Sequence, residues 1–159
     1  KPEIRPIQDL STPELFKSPM QKDLRSLQNC MASINARFHH SDLAGLFGFL
    51  EFHKIKKTRV VIGRPSPRLK TDIDLALYNM QTVCRQHCAI TFCSDGRFYL
   101  TVLGRDVFIN SEIFYRDQNI QLKNYDMIDI GGVPLIFLEN PRFRMQVDQI
   151  FNNCNSDKV

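Results

Sequence analysis

The segment 83–90, VCRQHCAI, carries the side chains in this sequence that are most capable of chemistry. It places His87 between Cys84 and Cys88, and Arg85 directly follows the first cysteine. Three alternatives follow from these residue types. The segment can hold a metal ion, present a thiolate nucleophile beside its base, or form a turn in which histidine makes structural hydrogen bonds.

Neither a metal site nor a catalytic thiolate is predicted from the spacing. Structural zinc usually takes four ligands as two close pairs, but Cys84, His87 and Cys88 form one crowded cluster that no second pair follows. A catalytic thiolate needs an orienting base and an oxyanion site, and no such pattern surrounds either cysteine. We therefore expect that the protein binds no metal ion and no cofactor and that it is not an enzyme. Cys88 is expected in the core of an alternating strand, and His87 where a turn enters that strand.

Three arginines follow the predicted ends of strands. Arg64 ends one strand, Arg85 lies in a second loop, and Arg105 opens a third. Loops at one end of a β-sandwich commonly form its recognition surface, and the planar fork of arginine matches phosphate. The arginines therefore predict an anion site, with three separate solvated side chains as the alternative.

Short apolar and aromatic runs predict the strands that position these loops. Turn residues at 94–96 and 131–132 suit hairpins. Such short strands at these intervals are typical of an all-β sandwich. Asn140 and Pro141 predict a short C-terminal helix, whose Phe143, Val147 and Ile150 share one face. The predicted strands are 46–52, 58–62, 88–93, 97–103, 107–110, 119–122, 127–130 and 133–138.

Helical signals precede residue 45. Ser11, Pro13 and Glu14 form a capping pattern, and an apolar stripe follows at alternating spacings of three and four. This arm is expected to pack on its own domain, or to bind a partner or a second copy as a homodimer. The predicted organisation is 1–44 lead-in and arm, 45–140 sandwich, and 141–159 helix and tail. The stripe consists of Leu24, Leu27, Met31, Ile34 and Phe38.

Composition indicates a globular domain. Of its 159 residues, 43% are hydrophobic and 24% are charged, as in soluble proteins, and no apolar run reaches the roughly 18 residues of a membrane span.

The chain begins at Lys1, so we expect a piece of a larger protein. Five cysteines without framework spacing favour a reducing compartment. The net charge of +4 does not by itself predict DNA or membrane binding, and the basic run 54–59 is expected on a solvated sheet edge.

Six motifs follow one another in a fixed order along the predicted sandwich. They are IGR (62–64), DIDL (72–75), CRQHCAI (84–90), GRFYLTVLG (96–104), VFIN (107–110) and DMIDIG (126–131). As an ordered set they resemble the forkhead-associated (FHA) domain over about residues 45–140. The branch that they resemble most holds the class K fork-head factors and the fork head-like regulators, with microspherule protein more distant. The resemblance implies a two-sheet β-sandwich of about eleven strands that binds phosphothreonine peptides in a nuclear regulatory protein.

The resemblance also implies roles for individual residues. Arg64 and Arg85 correspond to phosphate-binding positions, Arg105 corresponds to a lysine of the third loop, and His87 braces the loops. Two positions depart from the family: Cys84 replaces a serine, and Asp106 replaces an asparagine in a loop one residue shorter. A thiol is a weak donor, and a carboxylate accepts but does not donate. Two functions therefore stay open: weakened phosphothreonine recognition by these residues, or phosphate-independent binding of partners through the sheet face or the arm.

Overall fold

The computed structural model describes residues 30, 32–79 and 81–156. The chain divides into two compact units, 1–39 and 40–159. In the first unit residues 32–35 are helical, and the Ala36 N–H donates to the Ala32 carbonyl at 3.0 Å. Ile34 and Phe38 are buried, but Phe38 lies beyond the helical residues. The predicted capping pattern and the stripe positions Leu24, Leu27 and Met31 lie outside the described residues.

The second unit is a two-sheet sandwich followed by a helix, which confirms the predicted fold class. The elements are β1 (Ala44–Phe47), β2 (Phe52–Ile55), β3 (Arg59–Gly63), β4 (Ile73–Asp74), β5 (Cys88–Phe92), β6 (Phe98–Val102), β7 (Val107–Ile109), β8 (Glu112–Phe114), β9 (Asn119–Leu122), β10 (Met127–Ile130), β11 (Val133–Glu139) and α1 (Pro141–Ser156). One sheet has the order β2-β1-β11-β10-β7-β8, and the other has the order β4-β3-β5-β6-β9. Neighbouring strands are antiparallel except for the parallel pair β3 and β4. None of the helices in the described part of the chain is long and apolar enough to span a membrane.

Alternating burial explains why these segments form strands around one core. Along β6, Phe98, Leu100 and Val102 are buried while the residues between them are half-buried. The Phe98 ring contacts Phe137 of the opposite sheet edge-on, with centroids 5.3 Å apart. Each such side chain stabilises the fold by roughly 1.5–3 kcal/mol when it leaves water. The core therefore fixes the register of the strands, and with it the position of the loops.

Strand register places several loops at one end of the sandwich. In one sheet Cys88 pairs with both Ile62 and Val102, so the end of β3, the start of β5 and the end of β6 lie together. In the other sheet Ile130 pairs with Val107, so the start of β7 lies beside the end of β10. The loop 103–106 joins β6 to β7 and shows that the two sheets share this end. We call it the apical end.

The β1–β2 turn also lies at the apical end, because β1 runs antiparallel to β11 and ends beside its first half, with Phe47 opposite Ile136. A single strand was predicted over residues 46–52, and that prediction is wrong. The Gly48 N–H donates to the Glu51 carbonyl at 3.0 Å and closes a turn. A Cβ on Gly48 would lie 2.9 Å from the side chain of Leu135, so any larger residue here would displace Leu135 and the neighbouring Tyr78 hydroxyl.

Strand β8 was not predicted. Asn110 and Ser111 connect it to β7 with φ of 51° and 70°, a left-handed pair that is typical of a tight hairpin turn. The Asn110 side chain donates to Asp126 at 2.9 Å and accepts from the Met127 N–H at 2.9 Å. These bonds stabilise a backbone conformation that is unusual for residues other than glycine.

Helix α1 begins where it was predicted, and Phe143 and Val147 of the predicted face pack on the sandwich. The Asn140 side-chain oxygen accepts from the Arg142 N–H at 3.2 Å, as an N-cap residue does. Ile150, the third residue of that face, is 61% exposed. A Cβ on Gly96 would lie 3.1 Å from Val147 and 2.6 Å from Phe151, so these two side chains cover the turn at Gly96.

The basic run 54–59 is only partly as predicted. β2 is an edge strand, but it ends at Ile55, and the lysines of the run form ion pairs. Lys54 and Lys56 lie 3.6 and 3.1 Å from the buried carboxylate of Asp42, and Lys57 lies 2.6 Å from Asp72. The run therefore neutralises acidic groups of its own domain rather than forming only a solvated edge.

Candidate functional site

Two glycines allow three chain segments to meet at the apical end. A Cβ on Gly63, the last residue of β3, would lie 2.5 Å from the Cys84 carbonyl and would also collide with the Arg85 carbonyl. A Cβ on Gly104 would lie 3.0 Å from the sulfur of Cys84. The end of β3, the turn 83–87 and the loop 103–106 are therefore in direct contact.

His87 joins the same three segments by hydrogen bonds and is fully buried. Its Nδ1 accepts from the Cys84 N–H at 3.1 Å, so Nε2 carries the proton that it donates to the Asp106 carbonyl at 3.2 Å. Its backbone N–H donates to Ile62, and its carbonyl accepts from the N–H groups of residues 103 and 104. The His87 ring and backbone therefore link the end of β3, the turn 83–87 and the loop 103–106.

Burial lowers the pKa of His87 below its ordinary value, although the hydrogen bond to the Asp106 carbonyl acts in the opposite direction. Protonation would add a second ring N–H, which would then face the Cys84 N–H. The neutral ring is therefore the form that holds the loops together.

Arg64 is half-buried and anchored at the end of β3. Its Nε donates to the Val83 carbonyl at 3.0 Å, and its backbone N–H donates to the Cys84 carbonyl at 3.0 Å. Its terminal Nη groups have no hydrogen-bond partner within the described residues. The guanidinium is thus oriented by the protein while its outer donors remain available to a ligand.

Arg85 and Arg105 are exposed, and neither forms an ion pair within the described ranges. The backbone of Arg85 is fixed, because the Thr71 hydroxyl donates to its carbonyl at 3.1 Å. The register brings the loops of all three arginines to the apical end. Each therefore lies where an anion-binding site was predicted, while their roles stay predictions.

The two departures from the family pattern lie in the same region. The half-buried side chain of Cys84 contacts Gly104 of the third loop, and Asp106 is exposed. An ion pair between Asp106 and Arg64 or Arg105 would close the site to an anion. In the part of the chain that the structure describes, the Asp106 carboxylate pairs with neither arginine, so the cationic groups are left open to solvent.

The sequence did not identify two contacts that order the apical loops. The Thr82 hydroxyl donates to the Gly131 carbonyl, and a Cβ on Gly131 would lie 2.6 Å from the Thr82 carbonyl. The paired glycines at 131–132 indicate a tight turn but not its contact with a loop of the other sheet. Thr71 is the second missed residue, because nothing in its local pattern indicates the bond to Arg85.

The second cysteine of VCRQHCAI lies in the core of the sandwich. Cys88 is fully buried, and burial raises the pKa of its thiol well above the ordinary value. That thiol is a core side chain rather than a nucleophile. Among the described residues no group of three or more His, Cys, Asp or Glu side chains is placed to hold a metal ion.

Comparison with known proteins agrees with this geometry. A sequence model of the FHA domain matches residues 60–131, and no curated protein matches the chain. The FHA1 domain of yeast Rad53 superposes with a TM-score of 0.61 at 14% identity, over 78% of this chain and 95% of that one.

Two further solved structures contain bound peptides. The N-terminal FHA domain of S. cerevisiae Rad53p, in complex with a phosphothreonine peptide, has a TM-score of 0.55 at 17% identity over 65% of this chain and 98% of that one. The MEK1 FHA domain, in complex with a phosphothreonine peptide of HOP1, has a TM-score of 0.51 at 22% identity over 62% of this chain and 98% of that one. At these identities the likeness shows the fold alone, and the chain contains one segment, residues 60–131, that matches the sequence model of the FHA domain.

Proposed function

We propose that this chain is a protein-interaction module that binds phosphothreonine-containing segments of a partner through its apical loops. One observation carries the proposal: the exposed guanidinium of Arg85 has no partner within the described residues, while its backbone is held by Thr71 and lies against Gly63. A guanidinium carried on an ordered backbone and without an internal partner is suited to an anionic ligand. Rad53p and MEK1, whose folds are similar, are each described with a phosphothreonine peptide.

The three arginines are suited to different parts of the task. A phosphothreonine carries a charge of about −1.5 to −2 near neutral pH, and a hydrogen bond to a charged group contributes roughly 1.5–3 kcal/mol. Arg64 is already oriented by its bond to Val83, so it loses little side-chain freedom on binding. Arg85 offers its full fork to the phosphate. Arg105 is exposed, and its contribution is reduced by screening.

Cys84 and Asp106 are proposed to weaken this recognition. The Cys84 thiol is a poor donor at a position where the family has a hydroxyl group. The Asp106 carboxylate has no cationic partner among the described residues, and it adds negative charge beside an anion site. Phosphopeptide affinity should therefore be modest and sensitive to both side chains.

A titration of a fluorescent phosphothreonine peptide library against the full chain tests the proposal, with each peptide also measured after dephosphorylation. We expect binding that requires the phosphate and that Arg85→Ala reduces at least about tenfold, the loss of one charge-assisted hydrogen bond. Arg97→Ala is the matched control, because Arg97 is an exposed arginine at the opposite end of β6. Equal losses in the two variants would indicate nonspecific charge attraction and contradict the proposal.

The second candidate function is binding of unmodified partners without phosphate. The unpaired carboxylate of Asp106 favours it, because it opposes an anion at the apical end. Equal affinity for phosphorylated and dephosphorylated partners would support this alternative.

Nuclear localisation, a regulatory context and self-association through the N-terminal arm remain proposals that rest on the family resemblance and on the apolar stripe. Cell imaging and sedimentation test them.

A further inference from the structure

One loop at the apical end contains a serine between two prolines. Residues 64–72, which we call the β3–β4 loop, read RPSPRLKTD, so Ser66 follows Pro65 and precedes Pro67. A residue before proline is disfavoured in helical conformations and favours extended ones, which applies here to both Arg64 and Ser66. Both prolines are exposed and Ser66 is half-buried. The loop therefore presents a serine–proline pair at the surface in an extended segment.

The β3–β4 loop is ordered by hydrogen bonds. The Thr71 hydroxyl lies 3.4 Å from the Arg64 carbonyl and donates to the Arg85 carbonyl at 3.1 Å. The Leu69 N–H donates to the Ser66 hydroxyl oxygen at 3.1 Å. The Ser66 oxygen is the acceptor in this bond, and its own proton has no acceptor among the described residues. A phosphate ester would keep an oxygen at this position, so the turn would retain its acceptor after modification.

Positive charge surrounds Ser66 along the loop. Arg64 lies two residues before it, Arg68 two residues after it and Lys70 four residues after it. None of these three side chains forms an ion pair within the described ranges. The one acidic residue of the loop, Asp72, already lies 2.6 Å from a lysine ammonium. A phosphoserine, which carries a charge of about −1.5 to −2 near neutral pH, would therefore meet unpaired cations at position 66.

Arg64 lies within reach of a phosphate on Ser66. Residues two apart in an extended segment project to the same side, and their Cα atoms are about 7 Å apart. The Nε of Arg64 is held by the Val83 carbonyl at 3.0 Å, while its Nη groups have no partner in the described part of the chain. The planar fork of arginine matches phosphate. A phosphate on Ser66 thus has the same guanidinium beside it that a bound partner would use.

We propose that Ser66 is a phosphorylation site for a kinase that selects serine before proline, and that its phosphate binds Arg64 and Arg68 of the same loop. In the transfer, a bond forms between the Ser66 oxygen and the terminal phosphorus of ATP, the bond from that phosphorus to ADP breaks, and the hydroxyl proton is released. An occupied Arg64 is withdrawn from a partner's phosphothreonine. The modification therefore closes the apical site, a step that rests on the proposed function.

Treatment of the full chain with ATP and a purified kinase of this specificity tests the modification. Mass spectrometry should find phosphate on Ser66 and should not find it there in Ser66→Ala. Thr12 and Ser18 also precede proline, so they serve as internal references for the activity of the kinase. Phosphate on Thr12 or Ser18 with none on Ser66 would overturn the inference.

Phosphoserine placed at position 66 of the full chain by genetic encoding tests the contact. ³¹P NMR follows the second ionisation of the phosphate, which a nearby guanidinium shifts to lower pH. Arg64→Ala and Arg68→Ala should each move the midpoint of this titration to higher pH. Arg97→Ala is the matched control and should leave the midpoint unchanged, because Arg97 is exposed at the opposite end of β6. A midpoint that neither Arg64→Ala nor Arg68→Ala moves would overturn the inference.

Peptide affinity tests the closure of the site. Phosphoserine at position 66 should weaken binding of the tightest phosphothreonine peptide of the library at least about tenfold, as expected for the loss of one charge-assisted hydrogen bond. Phosphoserine at position 94 is the control, because Ser94 is exposed in the β5–β6 turn, at the end opposite to the apical loops. Equal weakening by the two phosphoserines, or none by phosphoserine at 66, would overturn the closure alone. If the unmodified chain binds no phosphothreonine peptide, the proposed function and the closure fall together, and the NMR titration still decides the contact with Arg64.

Discussion

Replacing Cys84 by serine should strengthen phosphopeptide binding, because it restores a hydroxyl donor beside the anion site. The Cys84 sulfur lies against Gly104 in a contact that a larger side chain would disturb. An oxygen is smaller than a sulfur, so the exchange needs no movement of the loop. One hydrogen bond to a charged group is worth roughly 1.5–3 kcal/mol, and each 1.4 kcal/mol is about tenfold in affinity. We therefore expect Cys84→Ser to bind about 10- to 100-fold more tightly.

The assay is titration of a phosphothreonine peptide and of its unphosphorylated counterpart, with the gain confined to the former. Cys93→Ser is the matched control, since Cys93 is a half-buried cysteine just after β5, at the end opposite to the loops. Asp106→Asn should add to the gain: it removes a negative charge from an exposed side chain, while the bond from His87 goes to the backbone carbonyl and is kept. A Cys84→Ser domain with unchanged affinity for the phosphopeptide would refute the proposed contact between position 84 and the phosphate.

Three further predictions concern the framework. Burial lowers the pKa of both His87 and His53 in the folded protein. As the pH falls, each ring is therefore protonated in the unfolded state before it is protonated in the folded state. The stability that the two neutral rings contribute is present above about pH 6.5 and is lost as the pH falls toward their lowered pKa values. The melting temperature should fall as the pH is lowered from 7.5 to 5 in the native chain. It should also fall in His53→Gln, in which His87 is the remaining histidine whose pKa is lowered by burial. A melting temperature that does not change with pH in this variant would contradict the role of the neutral His87 ring. Asn140→Ala should lower the free energy of unfolding by about 1–2 kcal/mol, since it removes the cap of α1 and the bond to the Asp42 carbonyl; chemical denaturation measures this, and a loss below about 0.5 kcal/mol would contradict it. Gly63→Ala should reduce both stability and peptide affinity because its Cβ meets the backbone of the turn 83–87, whereas Gly132→Ala, with φ of 83° and open space around it, should reduce stability alone; equal affinity in the two variants would contradict the contact.

Local pattern predicted much of the fold, and tertiary contacts decided the rest. The alternation in β6 and the turn residues around it are visible in the sequence, because burial on one face imposes a period of two. The split between β1 and β2 is not visible in this way: Gly48 stands inside an apolar run, and the turn depends on Leu135 and Tyr78, which are distant in sequence. The packing of Phe151, rather than Ile150, against the sandwich likewise depends on the position of Gly96, which is distant in sequence.

The candidate site shows the same division. The arginines and His87 were identified from residue type and position, because strand ends and turns carry local signals. The convergence of their loops depends on Gly63 and Gly104, whose close approach to Cys84 cannot be read from neighbouring residues.

The pairing of β1 with β11 determines how the sandwich responds to mechanical force. Ala44 lies opposite Glu139, and the Asn140 N–H donates to the Leu43 carbonyl at 3.1 Å. The chain thus enters and leaves the sandwich at adjacent points, at the end away from the apical loops. Tension applied through these two points would break the hydrogen bonds between β1 and β11 one after another, because the force acts across the strands at one end. It would not load all of these bonds at once, as a force along the strands does. The sandwich should therefore unfold at low force in a single-molecule pulling experiment. Because its entry and exit points are adjacent, it can also be inserted into a loop of another protein without forcing the two ends of that loop apart.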